Sequence, residues 1–376
     1  MRVLMTGGGT AGHINPALTI AKAIEEAYPA CEILFVGAEG RMETRLVPAA
    51  GYRIETMKVS GFQRSLSPSA LAHNVRTVWR TVTAGSRAKK IIADFKPDLA
   101  VGTGGYVCGP ILRQAAKMGV PVVVHESNAL PGVTVKMLAK WATICVAEEA
   151  SKAYFPSDAK VVVTGNPLPS DFTMMNKQEA RQRLGLDERP VVLSFGGSLG
   201  ASAINCAMVG VLEKSLREGT LQHIHAAGTG GYKAMCEALR DANIPTDTDG
   251  IDVREYIHNM KDCMAAADLV ICRCGAMTLT ELKACGKPSI LIPSPFVAEN
   301  HQFHNAQVLV KCGAAECIEE KDLSASALWE AIRRITADPA TLLRMGENAR
   351  TEAMPDAKER VLKVIRDVLK ETPPRR

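Results

Sequence analysis

Short apolar runs alternate with amphipathic stretches along the chain, and each run is followed by a segment of helical period. Arg2-Val3-Leu4-Met5 reads as a buried strand, and Pro16 to Ala27 as the helix after it. Glu32–Val36 is the next strand and Val75–Phe95 a long amphipathic helix. The alternation runs on through Leu99–Val101, Pro110–Met118, Val122–His125 and Ile144–Val146 to Val161–Thr164. A second series opens at Val191–Phe195, with strands near Gln222–Ala226, Asp252–Glu255, Leu269–Cys272 and Ser289–Ile292. Its helices are expected at Ser202–Glu218, Lys261–Ala267, Thr278–Cys285, Asn305–Lys311 and Ala325–Ala337. Such alternation makes a doubly wound parallel sheet, so the predicted α/β architecture is two Rossmann-like domains facing a cleft. The two prolines and glycine of Gly165-Asn166-Pro167-Leu168-Pro169-Ser170 mark the linker. The expected domains are 1–164 and 165–355, with the amphipathic segment 356–370 crossing back onto the first and Pro373–Arg376 a frayed tail.

Length and composition agree with two cores. A chain of 376 residues exceeds what one hydrophobic core usually serves, and 47% hydrophobic with 23% charged residues is a globular balance. No apolar run approaches the ~20 residues of a membrane span. The chain opens directly on a strand without a signal-peptide pattern, so a cytoplasmic location is expected. The eleven cysteines are scattered through strands and helices, which reads as reduced thiols. A net charge of +5 with few aromatics and no basic run argues against nucleic acid as a partner.

Two glycine-rich turns carry the candidate chemistry. Gly7-Gly8-Gly9-Thr10-Ala11-Gly12-His13 and Gly196-Gly197-Ser198-Leu199-Gly200-Ala201 each join a strand to a helix, where bare amides can face a ligand. The first fits a dinucleotide fingerprint, but the next strand ends in Gly37-Ala38 without an acidic residue, Glu39 being the nearest. His13, beside the turn, reads as a proton acceptor or as a merely polar cap. His125-Glu126-Ser127-Asn128 and Gly102–Pro110 close further strands at the edge where open α/β sheets bind ligands, and the first of these suits a sugar. Ser198 is expected where its turn meets the helix, as a diphosphate ligand or an N-cap. Glu281, one turn inside its helix, is placed to accept two ribose hydroxyls, or else is a surface carboxylate. Asp247-Thr248-Asp249 reads as a solvated turn rather than a metal motif. His223 and His225 lack further ligands for zinc.

Taken together and in order, these motifs, with Arg273, Gly275-Ala276, Gln302 and Asn305-Ala306, resemble those of the lipid II-forming N-acetylglucosaminyltransferases of peptidoglycan synthesis, in the GT-B superfamily. The resemblance covers essentially the whole chain. It implies inverting transfer of N-acetylglucosamine from UDP-GlcNAc to the muramyl 4-hydroxyl of lipid I, at the cytoplasmic face of the membrane. No cofactor and no metal is implied. The second domain would hold the donor through backbone at Ile257, Ala276 and Met277, and through Ser198, Arg273, Thr278, Glu281 and Gln302. Thr10, Ala11, Gly12 and Asn128 are added to that donor set. His13 and Glu126 would be catalytic, His13 as base or leaving-group stabiliser, while Glu126 and Asn128 contact the acceptor or organise the base. Two positions depart from the family: Leu199 where glutamine is frequent, and Pro169 where an arginine often follows the linker.

An acceptor in the membrane needs a docking surface. Phe62, Leu66 and Trp79 interleaved with Arg76 and Arg80 suit an apolar wedge rimmed by cations for an anionic membrane surface, unless the helix there only packs on its own sheet. Lys136 and Lys140 would extend the rim. Competing readings are a related GT-B enzyme such as a diacylglycerol glucosyltransferase, a 2-epimerase, and a non-catalytic nucleotide-sugar-binding subunit that recruits to membranes.

Overall fold

A computed structural model describes residues 1–59, 84–169 and 176–371. Phe62, Leu66, Arg76, Trp79 and Arg80 lie outside these described residues, as do positions 75–83 of the expected long helix. Contacts divide the chain into two units, 1–168 with 354–376, and 169–353.

The first unit runs β1 (Arg2–Thr6), α1 (Ala11–Ala27), β2 (Glu32–Ala38), α2 (Glu43–Ala49), β3 (Arg53–Met57), α3 (84–95), β4 (Leu99–Gly102), α4 (Cys108–Lys117), β5 (Val122–Glu126), α5 (Val133–Leu138), β6 (Thr143–Val146) and β7 (Val161–Val163). Its sheet is parallel throughout, in the order β3-β2-β1-β4-β5-β6-β7. Strands covered on both faces need continuous apolar sequence, which Val3-Leu4-Met5 and Val122-Val123-Val124 supply.

The second unit runs α6 (Lys177–Leu184), β8 (Val191–Phe195), α7 (Ser202–Glu218), β9 (Gln222–Ala226), α8 (Tyr232–Asp241), β10 (Asp247–Thr248), β11 (Ile251–Arg254), α9 (Met260–Ala266), β12 (Leu269–Cys272), α10 (Ala276–Cys285), β13 (Ser289–Leu291), α11 (His301–Lys311), β14 (Ala315–Cys317), α12 (Ala325–Thr336) and α13 (Pro339–Thr351). Its order is β10-β11-β9-β8-β12-β13-β14, with only β10 antiparallel. The chain then returns to the first unit as α14 (Ala357–Glu371), whose Val361, Val364 and Ile365 pack with Val3, Met5 and Ile14.

In both sheets the strand order reverses beside a glycine turn: between β1 and β4 in the first unit, and between β8 and β12 in the second. Such switch points are where open α/β sheets leave a crevice at the carboxyl ends of the strands.

Several expectations need correction. The first helix starts at Ala11, directly out of the glycine turn, and Pro16 lies inside it. A proline six residues in removes one ladder hydrogen bond near the helix start, which this helix accommodates without breaking. Asp247-Thr248 is a two-residue strand paired with β11, and Asp249 accepts from Arg189 at 2.6 Å. His125 is not in a ligand-facing row. It is fully buried and bonds the Gly165 carbonyl at 2.9 Å, fixing the start of the linker.

Three histidines are buried neutral. Burial pushes His125 and His225 down to about 4 and His223 to about 3, while Glu281, desolvated in the same way, is pushed up to about 7. Between about pH 6.5 and 4.5 the unfolded chain therefore binds three histidine protons that the native state does not, and the native state holds one Glu281 proton that the unfolded chain does not. The net uptake on unfolding is about two protons, so stability falls as pH falls, by about 3 kcal/mol per pH unit. Urea unfolding at pH 7, 6 and 5, summed over all transitions, should show this decline; stability that is flat or rises on acidification contradicts the assignment.

Candidate active site

In the first unit the site is built from one peptide plane. The Gly8 carbonyl lies 3.1 Å from His13 Nδ1, and across the same trans peptide the Gly9 amide donates to Glu43 Oε2 at 3.0 Å. Glu43 is completely buried, and its other oxygen accepts from Ala38 N at 2.9 Å, so α2 carries the clamp and the end of β2 braces it. A carbonyl oxygen only accepts, so His13 Nδ1 carries a proton, and in that tautomer Nε2 is the lone pair. Thr10 Oγ1, 3.3 Å from Nδ1, stands on the same side.

The ring's other neighbour is the turn after β4. Thr103 Oγ1 donates to the His13 carbonyl at 2.6 Å. Gly104 has a φ of +104°, and a Cβ there would come within 2.8 Å of His13 Cδ2, so a side chain at this position would displace the imidazole. Thr10, Ala11 and Gly12 open α1 as exposed residues, and Thr10 makes no side-chain cap, so the first amides of the helix remain for a ligand.

Glu126 ends β5, and its carboxylate is fully engaged. Oε1 accepts from Asn128 N at 2.9 Å and Asn128 Nδ2 at 3.0 Å, and Oε2 from Gly132 N at 2.9 Å. This is the geometry of a residue that organises the loop between β5 and α5.

The second unit holds a cavity of about 440 Å³ at its switch point, within the range of small-molecule sites. The glycine turn after β8, Arg273 and Thr278 around the start of α10, and Ser294, Phe296 and Gln302 beyond β13 line it. Neither α7 nor α10 has a side-chain cap, so both helix starts offer bare amides. Ser198 is not the cap: α7 begins at Ser202, and Ser198 sits in the exposed turn before it. That turn is locked from behind, because the Ser198 carbonyl accepts from Thr229 N at 3.1 Å and the Leu199 carbonyl from Gly230 N at 3.2 Å. With its carbonyls held inward, the peptide joining Ser198 to Leu199 points its N–H outward. Gly200, at φ +85°, allows this close approach, since a Cβ there would lie 2.0 Å from the Ala227 carbonyl.

Two long side chains are fixed by their own chain. Gln302 Oε1 accepts from Ser294 N at 2.8 Å and Cys274 N at 3.3 Å, which identifies its oxygen and leaves the amide group as the free donor. The Arg273 guanidinium donates to the carbonyls of Ile292 and Pro293 at 3.2 and 3.1 Å and pairs with Glu320. Arg273 is therefore a positive strut in the cavity wall, partly neutralised by that carboxylate. Ile257 is buried just beyond β11. Glu281, on the second turn of α10, has no hydrogen-bond partner among the described residues, and desolvation raises it to about 7. An unpartnered, desolvated carboxylate is a hallmark of a ligand site.

Glu43, Thr229 and Glu320 were not visible in the sequence, and Thr103 was read only as part of the Gly102–Pro110 turn, without a role of its own. Each acts through a partner between 31 and 90 residues away.

Comparison with known proteins identifies the family. The glycosyltransferase family 28 N-terminal domain matches residues 3–146 and the family 28 C-terminal domain residues 191–361. The chain is 42% identical over 372 residues to a UDP-N-acetylglucosamine–N-acetylmuramyl-(pentapeptide) pyrophosphoryl-undecaprenol N-acetylglucosamine transferase of Acetivibrio thermocellus, covering 98% of this chain and 99% of that one. It is 42% identical over 370 residues to the enzyme of the same name from Thermoanaerobacter sp., covering 98% and 100%. Among solved structures, it is similar to the crystal structure of Acinetobacter baumannii MurG, with a TM-score of 0.78 and 27% identity over 97% of this chain and 99% of that one.

Proposed function

The chain belongs to glycosyltransferase family 28, and from that premise we propose that it transfers N-acetylglucosamine from UDP-GlcNAc to the muramyl 4-hydroxyl of lipid I, forming lipid II and UDP. The observation that carries the reading is the full-length likeness to transferases named for this donor and this acceptor. The donor belongs to the second unit. The outward amides around Ser198 and at the start of α10, through Ala276, Met277 and Thr278, take the diphosphate, with Arg273 adding positive potential. Glu281 accepts the two ribose hydroxyls, the backbone at Ile257 meets the uracil, and the free amide of Gln302 meets the sugar.

The acceptor belongs to the first unit, whose uncapped α1 start at Thr10, Ala11 and Gly12 and whose Asn128 serve the reactants. The acceptor hydroxyl gives its proton to His13 Nε2 as its oxygen bonds the anomeric carbon. The bond from that carbon to the β-phosphate oxygen breaks, UDP leaves with the electron pair, and the configuration inverts. Glu126 shapes the loop that carries Asn128. No covalent intermediate is needed.

No helix among the described residues is long and apolar enough to cross a membrane. A lipid-linked acceptor therefore calls for peripheral contact at the cytoplasmic face of the membrane. Exposed Val133, Met137 and Trp141 on and just beyond α5 support this, with Arg113 and Lys140 within 5.5 and 6.0 Å of the Trp141 ring.

The direct test is transfer of label from UDP-GlcNAc to a lipid I analogue. His13→Ala should lower kcat by about 10²–10⁴-fold with donor KM little changed, the usual cost of losing a general base. Normal turnover in that variant removes His13 from the chemistry, and the absence of any labelled product from the parent protein removes the function.

Donor affinity should depend on pH through Glu281. Bound ribose hydroxyls favour the ionised carboxylate, so binding releases a proton and tightens as pH rises from 6 towards 8, levelling above about 7. UDP-GlcNAc is suited to the measurement because its diphosphate is esterified at both ends. Glu281→Gln should weaken binding by about 1.5–3 kcal/mol and remove the pH slope. Calorimetry showing the same slope in the variant would take Glu281 out of the ribose site.

A further inference from the structure

Asp268 directly precedes β12, and Lys287 and Pro288 directly precede β13, so these residues mark the amino edge of two parallel strands. Arg273 and Ser294 mark the carboxyl edge, where the cavity described above lies. A second cavity, of about 320 Å³, opens at the amino edge. One strand length separates the two, about 13 Å for four residues at ~3.3 Å each.

The charges around this cavity do not balance. Lys177, Lys287 and Arg350 line it with a single carboxylate, Asp268. Asp268 is already satisfied: it pairs with Lys177, and its Oδ2 accepts from Arg181 and from the Val191 amide, both at 2.8 Å. Lys287 is 8% exposed and donates only to the carbonyls of Ala265 and Ala267, at 2.8 and 2.7 Å. Those two bonds cap the end of α9, and the third N–H of the ammonium has no acceptor among the described residues. Arg350 crosses Gly286 from α13 and makes no side-chain hydrogen bond or ion pair among the described residues. Burial pushes Lys287 down to about 8; the nearby Lys177 and Arg350 push the same way, and Cys285 and Asp268 oppose them. Burying an ammonium that no carboxylate contacts is costly, and capping a helix end does not require two further cations beside it.

The remaining wall is apolar, formed by Pro288, Pro339, Leu342 and the largely exposed Leu343. Buried Lys287 and exposed Arg350 form no ion pair among the described residues, a pair of cations that matches a dianion better than a carboxylate, and the volume exceeds what an ion alone would fill. We propose that this basal cavity binds a small organic phosphate, its phosphoryl group between Lys287 and Arg350 and its organic part against Leu342 and Leu343 of α13. The site is separate from the donor cavity and does not depend on the transferase reading.

Phenyl phosphate and inorganic phosphate, titrated at ionic strength matched with sodium chloride, provide the probes. Phenyl phosphate should bind saturably and more tightly than inorganic phosphate, and the Lys287 side-chain resonance should titrate at higher pH once the site is filled. Arg350→Gln, which breaks no internal bond, should fold normally and weaken phenyl phosphate at least tenfold; Lys287→Met should do the same. Binding that is absent at matched ionic strength overturns the proposal. So does binding that is undiminished in Arg350→Gln, because the anion then sits elsewhere.

Discussion

The peptide plane between Gly8 and Gly9 is held at both ends, by the His13 imidazole on its carbonyl and by the buried Glu43 carboxylate on its amide. The geometry of the first half-site depends on that grip. A trans peptide fixes its C=O and N–H in opposite directions, so anchoring one orients the other. Glu43 thereby sets the direction of the Gly8 carbonyl, and the carbonyl sets which nitrogen of His13 carries the proton. The second unit uses the same device. Thr229 and Gly230 take the carbonyls of Ser198 and Leu199, the Gly200 N–H closes the turn on the Gly197 carbonyl, and the Leu199 N–H faces outward. In both halves the turn presents backbone, and groups distant in sequence, a carboxylate in the first unit and backbone amides in the second, determine which way that backbone faces.

This arrangement explains why polar groups are buried in an otherwise apolar scaffold. Ser194 Oγ lies 2.8 Å from His225 Nδ1, and His225 Nε2 lies 3.2 Å from Asn205 Oδ1, linking β8, β9 and α7 beneath the second glycine turn. Asn205 Nδ2 continues to the Ala227 carbonyl at 2.9 Å. Each such group costs desolvation that its hydrogen bonds largely return, and the network fixes one arrangement of the turn. Glu281 differs in having no such return within the protein, and desolvation pushes it up to about 7, towards the neutral form. Arg273 lies between these cases: its ion pair with Glu320 makes it rigid and moderates its charge.

Elements with strong periodicity were legible in the sequence. Ser202–Glu218, Gln222–Ala226 and Leu269–Cys272 form as read, because each is an unbroken apolar or amphipathic run between glycines or polar turns. The unread elements are α2, β3, α5, α6, α8, β10, β14 and α13, several of them short or dominated by polar residues. Lys177–Leu184, for example, buries only Ala180, so its hydrophobic stripe is too thin to register. At the sites, the glycine turns, His13, Glu281 and Gln302 could be singled out because strand-turn-helix spacing places them locally. Ser198 was placed too near the helix, since a backbone interlock 30 residues away holds its turn open. His125 was misread because a histidine at a strand end looks alike whether it faces solvent or the linker. Glu43 had no local signal at all.

In the proposed mechanism the Gly8 carbonyl fixes the His13 tautomer and so leaves Nε2 to receive a proton. Nitrogen-15 NMR of the imidazole in the free protein, recorded where the ring is neutral, reports that tautomer. The proton should lie on Nδ1 with Nε2 bare, and the balance should shift in Glu43→Gln. A neutral ring protonated at Nε2 overturns the assignment.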